Sequence, residues 1–386
     1  MNTGSTITPP RQPWSKKLAP LGMMLVPTLL GAGAGYLLGG SAVQLPWLRS
    51  RFEALAGWDL LMLPLLILFV LAVHELGHLY GGIRRGMRFL LLIVGPLQWS
   101  RTAEGVRFNW VFNLGTLGGL AAATPDLDRP LAPQLRALIL GGPLASLLLT
   151  FLGVALGLGL ESRLGAYALV VGAISALIFL VTALPLRAGG FMSDGMQYLE
   201  LRRGGQAVVQ RQQLIQLMAA SYAGARPRDW DASLIEQVLA MEHGDITRRI
   251  AGRLFALLHA IDRADERAAD EHAAWLHAHA EAYPDGFRQA LRIELCMHAL
   301  RRRDLATARA QWAASRGGVV DPARRALCEA QLAYEEGDAT RAMRSLAMAR
   351  RQLRHAADAG TSQLTMMQIV TLEHASQTAS MPAAAR

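Results

Sequence analysis

Residues 74–78 read His74-Glu75-Leu76-Gly77-His78. On a helix of 3.6 residues per turn, two histidines four apart project from one face, only about 40° out of register. Imidazoles so placed can share one tetrahedral Zn2+, and Glu75 beside the first reaches the metal's open position as a general base. Gly77 leaves room next to them. The preceding stretch, "DLLMLPLLILFV" at 59–70, has the apolar character of a membrane span. Ionisable groups in hydrocarbon are expensive, about 2.5 kcal/mol or more for a charged one at a helix centre and less for neutral His. Such a cluster inside a span reads as a functional site.

A zinc hydrolase needs a third protein ligand. The metzincin extension would place a histidine six residues after His78, but that position is Arg84, which stays protonated and binds no metal. Glu104, in the turn-like "TAEGV", offers one carboxylate. Asp194, in "LPLRAGGFMSDGMQYLEL", is the stronger candidate. Gly189-Gly190 lets the chain unwind ahead of it, and Gly195 lets backbone pack closely. Asp194 has a rival role, capping a helix that begins near Met196.

Four stretches are long enough to carry these residues across about 30 Å of hydrocarbon: 18–40, 60–82, 135–159 and 164–186. The first has an apolar run longer than the usual signal-peptide core and is read as an anchor. Arg11, Lys16 and Lys17 precede it, and Arg84, Arg85, Arg88, Arg101, Arg107 and Arg129 lie between 83 and 134. The opposite loops hold Arg49 and Arg51, then Arg163. The positive-inside rule therefore puts both termini in the cytoplasm. Spans two and four then run the same way, bringing His74, His78 and Asp194 to one side. Residues 88–110 contain turn signals at Gly95-Pro96 and Glu104-Gly105 and read as a partly embedded β-hairpin.

The composition divides the 386 residues near position 200. The second half is rich in Ala, Arg, Glu, Asp and Gln, the composition of soluble helices. The net charge of +9 is shared about evenly between the halves, with no long basic block, so nucleic acid is not an expected partner. Lys16 and Lys17 are the only lysines. Cys296 and Cys328 have no metal-ligand spacing and suit reduced core thiols.

On these residues the chain resembles the site-2 protease family of intramembrane zinc metalloproteases. "HELGH" at 74–78 is similar to that family's first motif, and "SDG" at 193–195 to its Asp-Gly motif. "GGPLAS" at 141–146 resembles a Gly-Pro motif that usually ends in Asn. The likeness covers about residues 58–200. It implies that His74, His78 and Asp194 hold Zn2+ and that Glu75 activates water to cut a peptide bond in or near the bilayer. It also implies that Gly142, Pro143, Ser146 and Thr182 support substrate or the active-site backbone. Ser146 and Thr182 each stand where Asn is usual, a departure that bears on substrate handling more than on metal binding.

The expected fold is mainly α. It is a polytopic membrane protein with about four transmembrane helices, a small membrane-associated β-hairpin and a C-terminal α-helical, tetratricopeptide-like cytoplasmic domain. Residues 1–17 are a cytoplasmic tail, 18–200 the metalloprotease domain, 201–374 the helical domain and 375–386 a disordered tail. "HALRRRDLATARAQW" from His298 and "LAYEEGDATRAMRSL" from Leu332 align at an offset of 34, matching Asp304 with Asp338, and a looser unit is expected at 250–280. His272, His277 and His279 share no single helical face and are expected on a solvated surface. The helical domain would bind a protein partner or substrate tail; no PDZ-like insert is visible. Expected partners are the lipid bilayer and a membrane-protein or membrane-associated peptide substrate. The competing readings are an inactive membrane scaffold that recruits partners through its repeats and, less well supported, a transporter.

Overall fold

The computed structural model describes residues 57–102, 104–110, 119–188, 191–240, 245–318 and 320–380. The expected first span, 18–40, lies outside them. Three described helices have the length and hydropathy to cross a membrane: Gly57–Ile83, Leu131–Gly159 and Arg163–Ala183. They correspond to the expected spans 60–82, 135–159 and 164–186. Less than a third of each apolar window is buried. Leu148 and Phe151, for example, are exposed, an arrangement that suits lipid and not water.

The chain divides into two compact units, Met1–Val70 with Pro143–Leu199 and Leu71–Gly142 with Glu200–Arg386, the borders falling inside continuous helices. In the first unit a 3-10 turn, Gly57–Met62, leads into α1 (Leu63–Ile83), and the end of α2 (Leu131–Gly159) precedes α3 (Arg163–Ala183). Small residues set the spacing of α2 and α3. A Cβ on Gly153 would lie 2.7 Å from both Ala168 O and Gly172 Cα, so the two backbones pack directly. Ser175 Oγ donates across to Ser146 O at 2.8 Å, and Tyr167 donates to the buried Asp59 carboxylate. A two-stranded ribbon, β5 (Arg187–Ala188) and β6 (Phe191–Met192), then opens α4 (Asp194–Arg203).

The second unit contains an antiparallel sheet of order β3-β2-β1-β4, formed by β1 (Arg88–Val94), β2 (Leu97–Thr102), β3 (Gly105–Trp110) and β4 (Leu120–Thr124). Both expected turns are present, and Gly95 at φ +56° adopts the left-handed geometry the first one requires. The expected hairpin is thus three strands of a four-stranded sheet. β4, "LAAAT", escaped the sequence reading because alanine has little strand propensity; pairing with the buried β1 holds it in place.

The rest of this unit is helical: α5 (Gln206–Tyr222), α6 (Ala232–Leu239), α7 (Ile246–Asp262), α8 (Glu266–His279), α9 (Asp285–Arg301), α10 (Leu305–Ala314), α11 (Pro322–Glu335), α12 (Ala339–Leu353) and α13 (Ala359–Ser380). The pairs α7/α8, α9/α10 and α11/α12 share one turn. Each has a left-handed residue (Ala264, Arg303 and Gly337) followed by an aspartate. The aspartate amide bonds the carbonyl five residues back: Asp265 to Ala260, Asp304 to Ala299 and Asp338 to Ala333, each at 2.9 Å. Its carboxylate then caps the next helix through Ala268, Thr307 or Arg341 N–H. The aligned Asp304 and Asp338 are therefore equivalent caps, and Asp265 is a third.

Two expectations about this half are corrected. His272 is buried, not solvated, because it shares the inner face of α8 with Ala269, Ala273 and Leu276. Burial first, then the Arg253 guanidinium beside it, lowers its pKa. His272 Nδ1 faces Arg253, His277 Nδ1 faces Gln311, and His279 Nδ1 bonds Trp275 O, so the three do not converge. The tail expected from 375 is helical through Ser380, since no glycine or proline interrupts the chain before Pro382.

Cys296 and Cys328 are both buried free thiols in one core with Leu300, Leu327 and Ile369. In that core Arg324 forms a two-pronged ion pair with Glu294 and reaches Gln368 Oε1 at 2.8 Å. Truncating one partner strands a buried charge, so Glu294→Ala is expected to cost about 3–5 kcal/mol. Urea unfolding of the full chain in detergent would show it as a lowered midpoint.

Candidate metal centre

The last three turns of α1 carry the motif. His74, Glu75 and His78 are 3%, 7% and 8% exposed, whereas Leu76 between them is 50% exposed. The motif's polar side chains thus turn inward while its apolar one turns outward. The His74 and His78 Nε2 atoms face each other at 3.2 Å, with ring planes 88° apart. Two nitrogens each about 2.0–2.1 Å from a tetrahedral zinc would stand about 3.3 Å apart, so the spacing fits.

The second nitrogen of His78 settles its tautomer. Nδ1 lies 2.7 Å from Leu138 O; a carbonyl only accepts, so Nδ1 carries the proton and the Nε2 lone pair is left for a metal. Glycines make that contact possible. A Cβ on Gly81 would lie 2.1 Å from Ala137 O, and one on Gly141 would lie 2.1 Å from Gly77 O. The α1 and α2 backbones touch there, which brings the Leu138 carbonyl within reach of His78. Pro143, inside α2, withdraws an N–H from the adjoining turn. Gly142 lies still closer to the chemistry: its Cβ would be 2.2 Å from His78 Nε2.

Glu75 has a neighbour that sequence reasoning missed. Gly119, the residue before β4, has no room for a side chain: its Cβ would be 2.4 Å from Glu75 Oε1 and 3.0 Å from Cγ. The signal was a glycine pair, Gly118-Gly119, that a sequence alone does not connect to a glutamate 44 positions earlier. Gly119→Ala is expected to push the carboxylate aside and lower turnover about tenfold or more, the order of effect for a misplaced general base. Bound zinc should be unchanged, since neither imidazole is touched; paired activity and metal assays check this.

Asp194 is released from the capping role. Ser193 Oγ accepts from Met196 N at 3.2 Å, and Gln197 N bonds Ser193 O at 2.9 Å, so Ser193 is the cap and Asp194 the first helical residue. The same hydroxyl donates to Leu184 O and accepts from Leu186 N at 3.0 Å. Gly195 locks the arrangement, as its Cβ would be 1.9 Å from Ala183 O. The "SDG" tripeptide is thus held against the end of α3 on both sides of the aspartate. His74 and His78 belong to the second unit and Asp194 to the first. Two imidazole nitrogens at this spacing, one ring fixed by a second hydrogen bond, are donors suited to zinc, and an aspartate is a further ligand type that zinc accepts.

The remaining candidates are placed less directly. Ser146 is fully buried in α2, with its carbonyl taking the hydroxyls of Thr150 and Ser175. Thr182 turns back on its own helix, donating to Phe179 O at 3.4 Å. Glu104 sits on the β2–β3 turn, 61% exposed, with His355 at 3.5 Å.

Compared with known proteins, residues 62–380 match the family model described as Peptidase family M50. No curated protein and no solved structure matches the chain.

Proposed function

Because the chain belongs to peptidase family M50, the site-2 protease family of zinc metalloproteases, we propose that it is a zinc-dependent intramembrane endopeptidase acting on membrane-protein substrates. The observation that carries this reading is the paired Nε2 atoms at 3.2 Å with the His78 tautomer fixed by Leu138 O. His74, His78 and Asp194 would hold the metal. Zinc, when bound, supplies a Lewis acid for the scissile carbonyl and lowers the pKa of water.

The chain's own residues supply the rest. Glu75 takes a proton from the attacking water and returns it to the leaving amine. Gly119 leaves its carboxylate free to sit where it does. A substrate helix must unwind first, since its carbonyls are engaged in helical hydrogen bonds. The sheet offers an edge for the unwound segment. Among the described residues β4 pairs on one side only, with β1, and it follows directly on Gly119, which meets the base. A strand added there gains main-chain hydrogen bonds at the point where Glu75 works.

We place the protein as a multi-pass membrane protein with both termini cytoplasmic, with 18–40 as its first span. The three matched turns support a tetratricopeptide-like module of three helix hairpins, which would present a surface to a protein partner. The test is cleavage of a panel of single-span membrane proteins by the purified enzyme in detergent. The reading predicts cleavage that stops with a zinc chelator and returns when zinc is restored. Zinc-loaded protein that cleaves none of them would favour the recruiting scaffold.

A further inference from the structure

A cavity of about 710 Å³ lies at the far end of β4, within the second unit. Its wall on the sheet side comes from Arg88, Arg101 and Thr124, and its wall on the helical side includes Tyr222, Leu353 and Ala357. The volume is in the range of ligand pockets. Arg88 and Arg101 are exposed and have no ion-pair partner among the described residues. Of the acids at the rim, Asp126 is engaged by Arg129 at 3.0 Å and by the Asp128 amide at 3.1 Å, which leaves Asp128 against two guanidiniums. With Arg129 counted beside its partner Asp126, the guanidiniums at the cavity outnumber the carboxylates three to two. Four of its lining residues are alanines (Ala219, Ala223, Ala356, Ala357), whose small side chains take up little of the space.

β4 links this cavity to the base. Its five residues, Leu120–Thr124, span about 17 Å at 3.3–3.4 Å per residue. Gly119 at one end meets Glu75, and Thr124 at the other lines the cavity. A strand laid on the β4 edge would deliver the residues five or six positions from its reacting bond into the cavity. We propose that the cavity binds an extended, acidic segment of the substrate polypeptide, so that the helical module reads substrate sequence at a fixed distance from the cut. This rests on the endopeptidase reading and adds a specificity site to it. An anionic lipid headgroup would match the arginines but would have no strand to follow from Glu75.

The test uses the full chain carrying Glu75→Gln in detergent and a fluorescein-labelled octapeptide of alternating Val and Glu, with a Val/Gln octapeptide as control. The proposal expects the acidic peptide to bind at least tenfold tighter than the control. Arg88→Gln with Arg101→Gln should abolish that preference, and Ala357→Trp should block binding by filling the cavity without removing charge. Equal binding of the two peptides, no binding, or no response to either variant would overturn it. So would loss of binding to phosphatidylglycerol vesicles in the arginine variant with peptide binding intact, which would make the cavity a lipid site. The measurement is repeated after zinc removal and in His74→Ala. Acidic-peptide binding should survive both, since neither touches the cavity lining; a wild type that binds the acidic peptide but takes up no zinc even when zinc is supplied would sink the protease reading and leave the cavity. Zinc-dependent cleavage with no acidic preference would sink the cavity alone.

Discussion

Replacing Gly142 with alanine is expected to weaken zinc binding about 10–100-fold, the range for disturbing the support of a metal ligand. The added methyl would lie 2.2 Å from His78 Nε2 and 2.6 Å from both ring carbons beside it. No flexible end of a side chain absorbs that clash; the ring itself must swing away. Doing so breaks the Nδ1–Leu138 bond and takes the lone pair off the metal. In an ordinary helix the same substitution would stabilise by about 0.5–1 kcal/mol, so the variant is expected to fold. A melting temperature close to that of the metal-free wild type, with little zinc retained, is the predicted pair of results. Full zinc occupancy in Gly142→Ala would mean that His78 binds no metal from this orientation.

Glu75→Gln is expected to keep zinc and lose cleavage by about 10²–10⁴-fold, the usual contribution of a general base. Glutamine preserves shape and burial beside Gly119 but cannot accept the proton from water. Zinc content and turnover must be read on the same preparation. Loss of both would make Glu75 a ligand or a structural residue, and retained turnover would move the base elsewhere. The variant also has a use, since uncleaved substrate should stay bound to it long enough to be captured.

These two residues mark where the sequence was legible. His74, Glu75 and His78 could be read directly because helical geometry alone fixes their relation. Asp194 was harder: a cap was its rival role, and only the Ser193 bonds to Leu184, Leu186 and Met196 show that Ser193 caps the helix instead. Gly119 was out of reach, because its nearness to Glu75 is made by sheet pairing and not by spacing. β4 was missed for a related reason, since alanines form a strand only where a partner strand holds them. In the helical half, the offset of 34 exposed Asp304 and Asp338, whereas Asp265 stands 39 residues before Asp304 and follows an alanine where Gly337 marks the third turn. His272 was misjudged because its place on the buried face of α8 depends on what packs there.

A zinc centre made by His74, His78 and Asp194 is tested by measuring zinc per chain in purified wild type against Asp194→Asn. The variant removes one ligand charge, while Ser193 keeps the helix cap and Gly195 its close packing. About one zinc is expected in the wild type, as one tetrahedral centre requires, and a marked loss in the variant. A well-folded wild type without zinc, or an Asp194→Asn variant that binds it as fully as the wild type, would contradict it.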